Sequence, residues 1–258
     1  MGWDAADWKV INPLMDQGLM PTLESIVNNG VIGNLATLDP PLSPMLWTSI
    51  STGKLADKHG ILGFVEPDPD NQGIRPSLIT SRKVKALWNI FSQSGLKSNV
   101  VGWWPSHPAE PINGIMVSNF FQKTKGFYDE PWPLPPDTVH PKELAEQLAE
   151  LRVHSAEITA AHMLPFVPQA QKEYIEGFQN LYSAIARVLA HASSIHNAAT
   201  FIERNSEWDF MAVYHDAIDH FCHAFMKFHP PQRKGIPDKI FETFKDVVSS
   251  AYRYHDMM

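Results

Sequence analysis

The chain is poor in cysteine, modest in charge and without long apolar runs. Its single cysteine, Cys222, excludes an internal disulfide framework. No apolar run approaches the roughly 20 residues of a membrane-spanning helix. No secretory leader pattern opens the sequence, so the compartment stays open. Charged residues make up only 19%, which is not the composition of a disordered polyelectrolyte. Basic residues are outnumbered: the net charge is -7 and the pI about 5.9, which argues against a protein held to nucleic acid or anionic membrane by its overall field. An anionic substrate would therefore need local cations, and bound metal supplies them. No internal repeat recurs, so a solenoid is excluded.

What is present suits a covered sheet. With 258 residues, 44% of them hydrophobic, the chain can bury a sizeable core as one large α/β domain or a domain with an inserted cap. Asp7 is placed to cap a helix over residues 8–17. Pro21 opens a second helix that ends near Asn29-Gly30, where glycine can take the left-handed closing position. Residues 31–38 read as a strand. Ser43-Pro44 opens a further helix and Gly53 closes it. Val84, Leu87, Trp88, Ile90 and Phe91 recur at helical spacing within residues 81–95, and strands follow over 98–103 and 114–120. This alternation favours a mostly parallel sheet with helices on its faces.

The middle differs. Residues 126–141 are proline-rich and read as an irregular connection, and residues 141–205 read as mostly helical with a break at 165–168. Ile175, Phe178, Leu181, Ile185, Val188 and Leu189 form an apolar stripe there. A strand returns over 209–214, then a helix from about Pro237. The expected organisation is residues 1–121 as the N-terminal part of an α/β core, 122–205 as a largely helical cap, and 206–258 as the return to the core. The opening Met1-Gly2-Trp3-Asp4-Ala5-Ala6-Asp7-Trp8 reads as a strand end and the turn after it, and the last residues as helix interior. The sequence is thus expected to be a piece truncated at both ends.

Three segments carry chemistry. In Asp219-His220-Phe221-Cys222-His223, a carboxylate and an imidazole four residues apart follow a buried strand and can converge on one metal ion. A lone Asp-x-x-x-His is more often a solvated strand end, and Asp216, His215 and His220 crowd the same register. Asp4 lies after a strand end, where a carboxylate can point into the crevice at the carboxyl edge of a parallel sheet; it could equally cap the next helix, although Asp7 is better placed for that. Ser43 begins a helix behind the stiff approach Asp39-Pro40-Pro41-Leu42. It can cap that helix, or act as a nucleophile whose attached phosphoryl group is stabilised by the helix N-terminus. Serine needs a base or a metal for that, which ties Ser43 to the carboxylates. Trp47, Trp88, Trp103 and Trp104 are expected in the core or the crevice wall, His59 in a turn, and Lys54 and Lys58 on the surface.

Taken together, Gly2-Trp3-Asp4-Ala5-Ala6-Asp7-Trp8, Pro40-Pro41-Leu42-Ser43-Pro44-Met45-Leu46-Trp47-Thr48-Ser49, Thr52-Gly53, Lys58-His59-Gly60-Ile61, Val101-Gly102-Trp103-Trp104-Pro105 and Ile218-Asp219-His220-Phe221-Cys222-His223-Ala224-Phe225 resemble the type I phosphodiesterase/nucleotide pyrophosphatase family of the alkaline phosphatase superfamily. The resemblance spans nearly the whole chain and is loosest over residues 122–204. It implies an alkaline phosphatase-like α/β fold with a helical cap and a metal-dependent phosphoric ester hydrolase with two divalent ions, zinc foremost. Asp4 would serve one metal and Asp219 and His223 the other, with Ser43, the transiently phosphorylated nucleophile, a ligand between the two. The substrate implied is a small phosphate ester, with no nucleic acid polymer as partner.

One departure matters. Members add an Asp-His pair from a Ser-Asp-His-Gly-like segment and a last histidine, and no Ser-Asp-His-Gly occurs here. The expectation is an incomplete metal set and little or no activity for these residues alone. The alternative is a catalytically dead binding or interaction module of the same fold, which loss of metal on Asp219→Ala without any change in activity would favour. A sulfatase would want Cys-x-Pro-x-Arg or Ser-x-Pro-x-Arg, which Ser43-Pro44-Met45-Leu46-Trp47 does not supply, and a cofactor-independent phosphoglycerate mutase would show a different nucleophile context.

Overall fold

The computed structural model describes residues 1–123, 130, 132–168 and 177–258. Its strands are β1 (Gly2–Trp3), β2 (Val65–Asp68), β3 (Gly73–Pro76), β4 (Ser98–Val101), β5 (Met116–Val117), β6 (Val139–His140) and β7 (Phe210–His215). The first helices are α1 (Trp8–Asp16), α2 (Pro21–Asn28), α3 (Ser43–Thr52), α4 (Ala56–His59) and α5 (Leu87–Gln93). They are followed by α6 (Ala145–Ala149), α7 (Ala160–Met163), α8 (Gln179–Asn205), α9 (Ala217–Phe225), α10 (Asp238–Phe244) and α11 (Val247–Met257).

The chain divides into two compact units: Met1–Gly2, Leu35–Arg152 and Ser194–His215 form a sheet unit, and Trp3–Asn34, Val153–Ser193 and Asp216–Met258 a helical unit. The sheet runs in the order β1-β7-β4-β5-β6, with β4 parallel to both β7 and β5, and β6 antiparallel to β5. All four residues of β4 are buried, as expected of a central strand covered on both faces. Alternation of side chains sorts them. Val100, Met116 and Ala212 face one cluster with Trp88 and Trp103, while Val101, Val117 and Val213 face another with Ile195, Ala198 and Ile202 of α8. The expected α/β class with a mostly parallel sheet is what the chain forms.

The helical unit packs around one apolar cluster. Ile11 and Leu14 of α1, Ile185, Val188 and Leu189 of α8, Ile218, Phe221 and Phe225 of α9, and Val247, Val248, Ala251 and Tyr252 of α11 supply it. Phe178 and Leu181 pack on its margin as the stripe predicts, whereas Ile175 lies outside the described residues, as does much of the proline-rich segment.

Several local signals act as expected. The Asp7 carboxylate accepts from the Lys9 amide at 2.8 Å and caps α1. Gly53 closes α3 in the left-handed conformation at φ 64. Other expectations are corrected. Residues 31–38 form no strand: among the described residues no strand pairs with them, and Val31 is 100% and Leu35 84% exposed. Gly30 does not take the left-handed position, since α2 closes on Asn29 at φ -101; the left-handed glycine is Gly18, after α1. The helix expected over 81–95 begins only at Leu87, after a turn of 3-10 helix at Ile79–Ser81. The C-terminal helix is broken at Lys245-Asp246 into α10 and α11. The β2–β3 hairpin and β6 had no legible signal. Among the described residues no helix is long and apolar enough to cross a membrane.

Candidate active site

The sheet unit carries Ser43. It occupies the first position of α3, behind Leu42, whose extended backbone (φ -98, ψ 117) provides no side-chain cap. Farther along the helix, hydroxyls fold back on carbonyls four residues earlier: Thr48 to Pro44, Ser49 to Met45 and Thr52 to Thr48, at 2.6, 2.9 and 2.7 Å. Ser43 has no helical turn behind it, and among the described residues its hydroxyl takes no such partner. Its amide heads the helix, where backbone donors and the dipole favour negative charge. The helix is set against the sheet by Trp47, which meets Trp103 and Tyr214 edge-on with centroids 5.3 and 4.7 Å apart. Gly2 makes room for it, for a Cβ on Gly2 would lie 2.4 Å from the Trp47 ring.

A second serine of α3 has a histidine partner and is nonetheless structural. The Nε2 of His59 lies 3.0 Å from the Ser49 Oγ. Because His59 Nδ1 accepts from the Ile61 amide at 3.1 Å, the ring proton sits on Nε2 and the imidazole donates to the serine. An imidazole in that tautomer cannot take the serine's proton. His59 is fully buried at the end of α4 rather than in the turn expected of it, and burial lowers its proton affinity, so it remains neutral.

The helical unit carries Asp4, Asp219 and His223. Asp4 follows β1 in a tight turn and is 7% exposed. Asp219 sits in the first turn of α9, whose Ala217, Ile218, Phe221 and Phe225 enter the core. That leaves Asp216, Asp219, His220 and His223 on the other side of the helix, as two Asp-x-x-x-His pairs. The Nε2 of His223 lies 3.4 Å from Asp219 Oδ1, and that of His220 lies 3.4 Å from Asp216 Oδ2. Asp219 holds its proton more tightly than an ordinary carboxyl, first because it is half-buried and then because the negative charge of Asp4 is close; His223 and His220 oppose this. Cys222 on the next turn is pushed up to about 11 by burial and by the charges of Asp219 and Asp7, so it is an inert thiol rather than a thiolate ligand.

Asp4, Asp219 and His223 are therefore brought into one charged neighbourhood of the helical unit, while Ser43 belongs to the sheet unit. Two carboxylates that repel each other in a half-buried setting, beside an imidazole, are the oxygen and nitrogen donors a divalent ion such as zinc takes. Among the described residues no three His, Cys, Asp or Glu side chains draw close enough to form a complete metal cluster. The donor set fits a metal and is partial. Sequence reasoning missed a group on the turn that follows Asp4, the Tyr252 hydroxyl. It accepts from the Asp7 amide at 3.1 Å and reaches the Ala5 carbonyl at 3.5 Å. The apolar spacing of Val247, Val248, Ala251 and Tyr252 could have placed this ring in a core, but nothing local names a partner 245 residues away.

No curated protein matches the sequence significantly. Among solved structures the chain is similar to phosphonoacetate hydrolase from Sinorhizobium meliloti 1021, in complex with phosphonoformate, at 14% identity and a TM-score of 0.48. That match covers 99% of this chain and 52% of the other, so the chain spans about half the length of that protein. A family model for type I phosphodiesterase / nucleotide pyrophosphatase matches residues 1–258, and the chain belongs to that family of phosphoester hydrolases, whose members generally use divalent metals.

Proposed function

We propose that the chain carries part of the active centre of a metal-dependent phosphoric ester hydrolase that works through a phosphorylated serine. Ser43 is the nucleophile. Asp4 would help hold one divalent ion and Asp219 and His223 a second, zinc in both places, with Ser43 between the two. When bound, such ions lower the pKa of a coordinated hydroxyl and neutralise charge on phosphoryl oxygens. In the first step the Ser43 Oγ–P bond forms as the bond from phosphorus to the ester oxygen breaks, the serine proton passes to solvent and the leaving oxygen takes up a proton. Water then displaces Ser43 and returns its proton, so the configuration at phosphorus is retained. The first position of α3 suits this, because the helix N-terminus favours the added negative charge. The substrate is a small phosphate ester.

The observation that carries this reading is the raised proton affinity of Asp219, which is half-buried and close to the charge of Asp4, beside His223. It is supported by the family to which the chain belongs. Because no Ser-Asp-His-Gly segment occurs in the 258 residues, the proposal includes that they turn over a diester slowly or not at all by themselves. Zinc content by mass spectrometry and hydrolysis of bis(p-nitrophenyl) phosphate test both parts. Asp4→Ala and Asp219→Ala are expected to lose metal; in a longer protein containing these residues, Ser43→Ala is expected to keep metal and lose turnover. A Ser43→Ala protein with undiminished turnover would remove the serine mechanism. Full activity of the 258 residues with two tightly bound zinc ions would remove the incompleteness.

A further inference from the structure

We propose that Tyr252 is a positioning residue for metal capture, acting through the turn that presents Asp4; this rests on the reading of Asp4 as a metal ligand. The turn is an unusual one to maintain. Between Asp4 and the helix cap Asp7, Ala5 adopts φ 58, a left-handed conformation that a side-chain-bearing residue keeps only where its surroundings hold it. Tyr252 supplies that hold. Its hydroxyl accepts from the Asp7 amide at 3.1 Å and donates towards the Ala5 carbonyl at 3.5 Å, so one oxygen spans the residues on the far side of Asp4. The near side is held by the same helix, one turn on: His255 meets the Trp3 ring edge-on with centroids 5.7 Å apart.

Tyr252 is itself fixed. It is fully buried in the apolar cluster, and α11 packs against α1 and α9, the helices that flank the turn and carry Asp219. Burial pushes its phenol further above the ordinary range, so the group remains a neutral hydroxyl able to donate and accept together. Groups that orient a metal ligand without touching the metal typically alter affinity by about 10–100-fold. Nothing in the apolar packing of the ring requires the hydroxyl, which separates the positioning role from the structural one.

The test is zinc affinity, measured on the metal-free protein by competition with a chromogenic chelator, together with the visible spectrum of the cobalt(II) form. Tyr252→Phe, which keeps the ring, is expected to weaken zinc binding by about 10-fold or more and to alter the cobalt spectrum. Asp256→Ala on the same helix disturbs α2 rather than the Asp4 turn, and is expected to destabilise the protein while leaving zinc affinity unchanged. In the wild-type protein, zinc is expected to slow hydrogen exchange at the Asp7 amide, since binding and turn order must favour each other equally. Wild-type zinc affinity in Tyr252→Phe, with binding lost in Asp4→Ala, overturns the inference alone, as does an Asp7 amide indifferent to zinc. Undiminished affinity in Asp4→Ala overturns the metal reading and the inference with it.

Discussion

Helix α2 should depend on a residue more than 230 positions away. Its own sequence provides no cap: Met20 precedes it in a non-helical conformation and offers no side-chain acceptor, and Pro21 has no amide to satisfy. The acceptor comes from α11. The two oxygens of Asp256 accept from the Leu23 amide at 2.7 Å and the Thr22 amide at 3.1 Å, in the geometry of an N-terminal cap supplied from outside the helix. Removing a cap typically costs about 0.5–2 kcal/mol. The charge of Asp256, 6% exposed and facing the positive end of α2, places the cost toward the upper part of that range. Water limits it, because Thr22 is exposed and its amide can be resolvated. Asp256→Ala is therefore expected to lose about 1–2 kcal/mol, or roughly 2–8 °C in the unfolding midpoint for a chain of this size. Asp256→Asn keeps one acceptor without the charge and should fall between. Thermal unfolding and urea titration at constant slope give the energy, and hydrogen exchange at Thr22 and Leu23 gives the location. If Asp256→Ala unfolds at the wild-type midpoint with those two amides protected as before, the cross-chain cap contributes nothing and the argument is wrong.

Gly2→Ala places a methyl carbon 2.4 Å from the Trp47 ring and should destabilise the sheet unit by about 1–3 kcal/mol; Trp47→Phe in the same protein should recover part of it, and strictly additive losses would refute the contact. Burial lowers the proton affinity of His59, His107, His196 and His229, so below about pH 6.5 the unfolded chain binds protons that the folded one refuses, and stability should fall between pH 7 and 5. His220 works in the opposite sense, its raised pKa adding stability at low pH that is lost as pH rises through it; a urea midpoint that climbs on acidification would mean that this term dominates. At pH 8 the Cys222 thiol, at about 11, should be alkylated by iodoacetamide roughly 100-fold more slowly in the folded protein than in urea, and equal rates would contradict its placement.

Local chemistry was legible in the sequence and distant pairing was not. Asp7, Gly53 and the start of α3 at Ser43 announce themselves within a few residues, because a cap or a left-handed glycine acts on its own turn. The run of β7 was visible for a similar reason: it is mostly buried, so little polar alternation interrupts it. Residues 31–38 have the composition of a strand without a neighbouring edge, and strand composition alone does not provide hydrogen-bond partners. The two-residue β6 is specified by the opposing β5 and leaves too short a pattern to read. At the candidate site, local chemistry and the family resemblance single out Asp4, Ser43, Asp219 and His223, of which the structure brings Asp4, Asp219 and His223 near one another, yet nothing local could reveal the Tyr252 hydroxyl on the turn after Asp4, or that the Ser49–His59 pair has the wrong tautomer for a nucleophile and its base.

The grip of α11 on the first residues also sets an order of events during translation. Thr22 and Asp256 are 234 residues apart, and at roughly 5–20 residues per second the ribosome needs on the order of 10–50 s to make the second after the first. Until then α1, α2 and the Asp4 turn go without the cap and the packing that α11 supplies, and incompletely covered apolar surface of this kind is what makes partly made chains prone to aggregate.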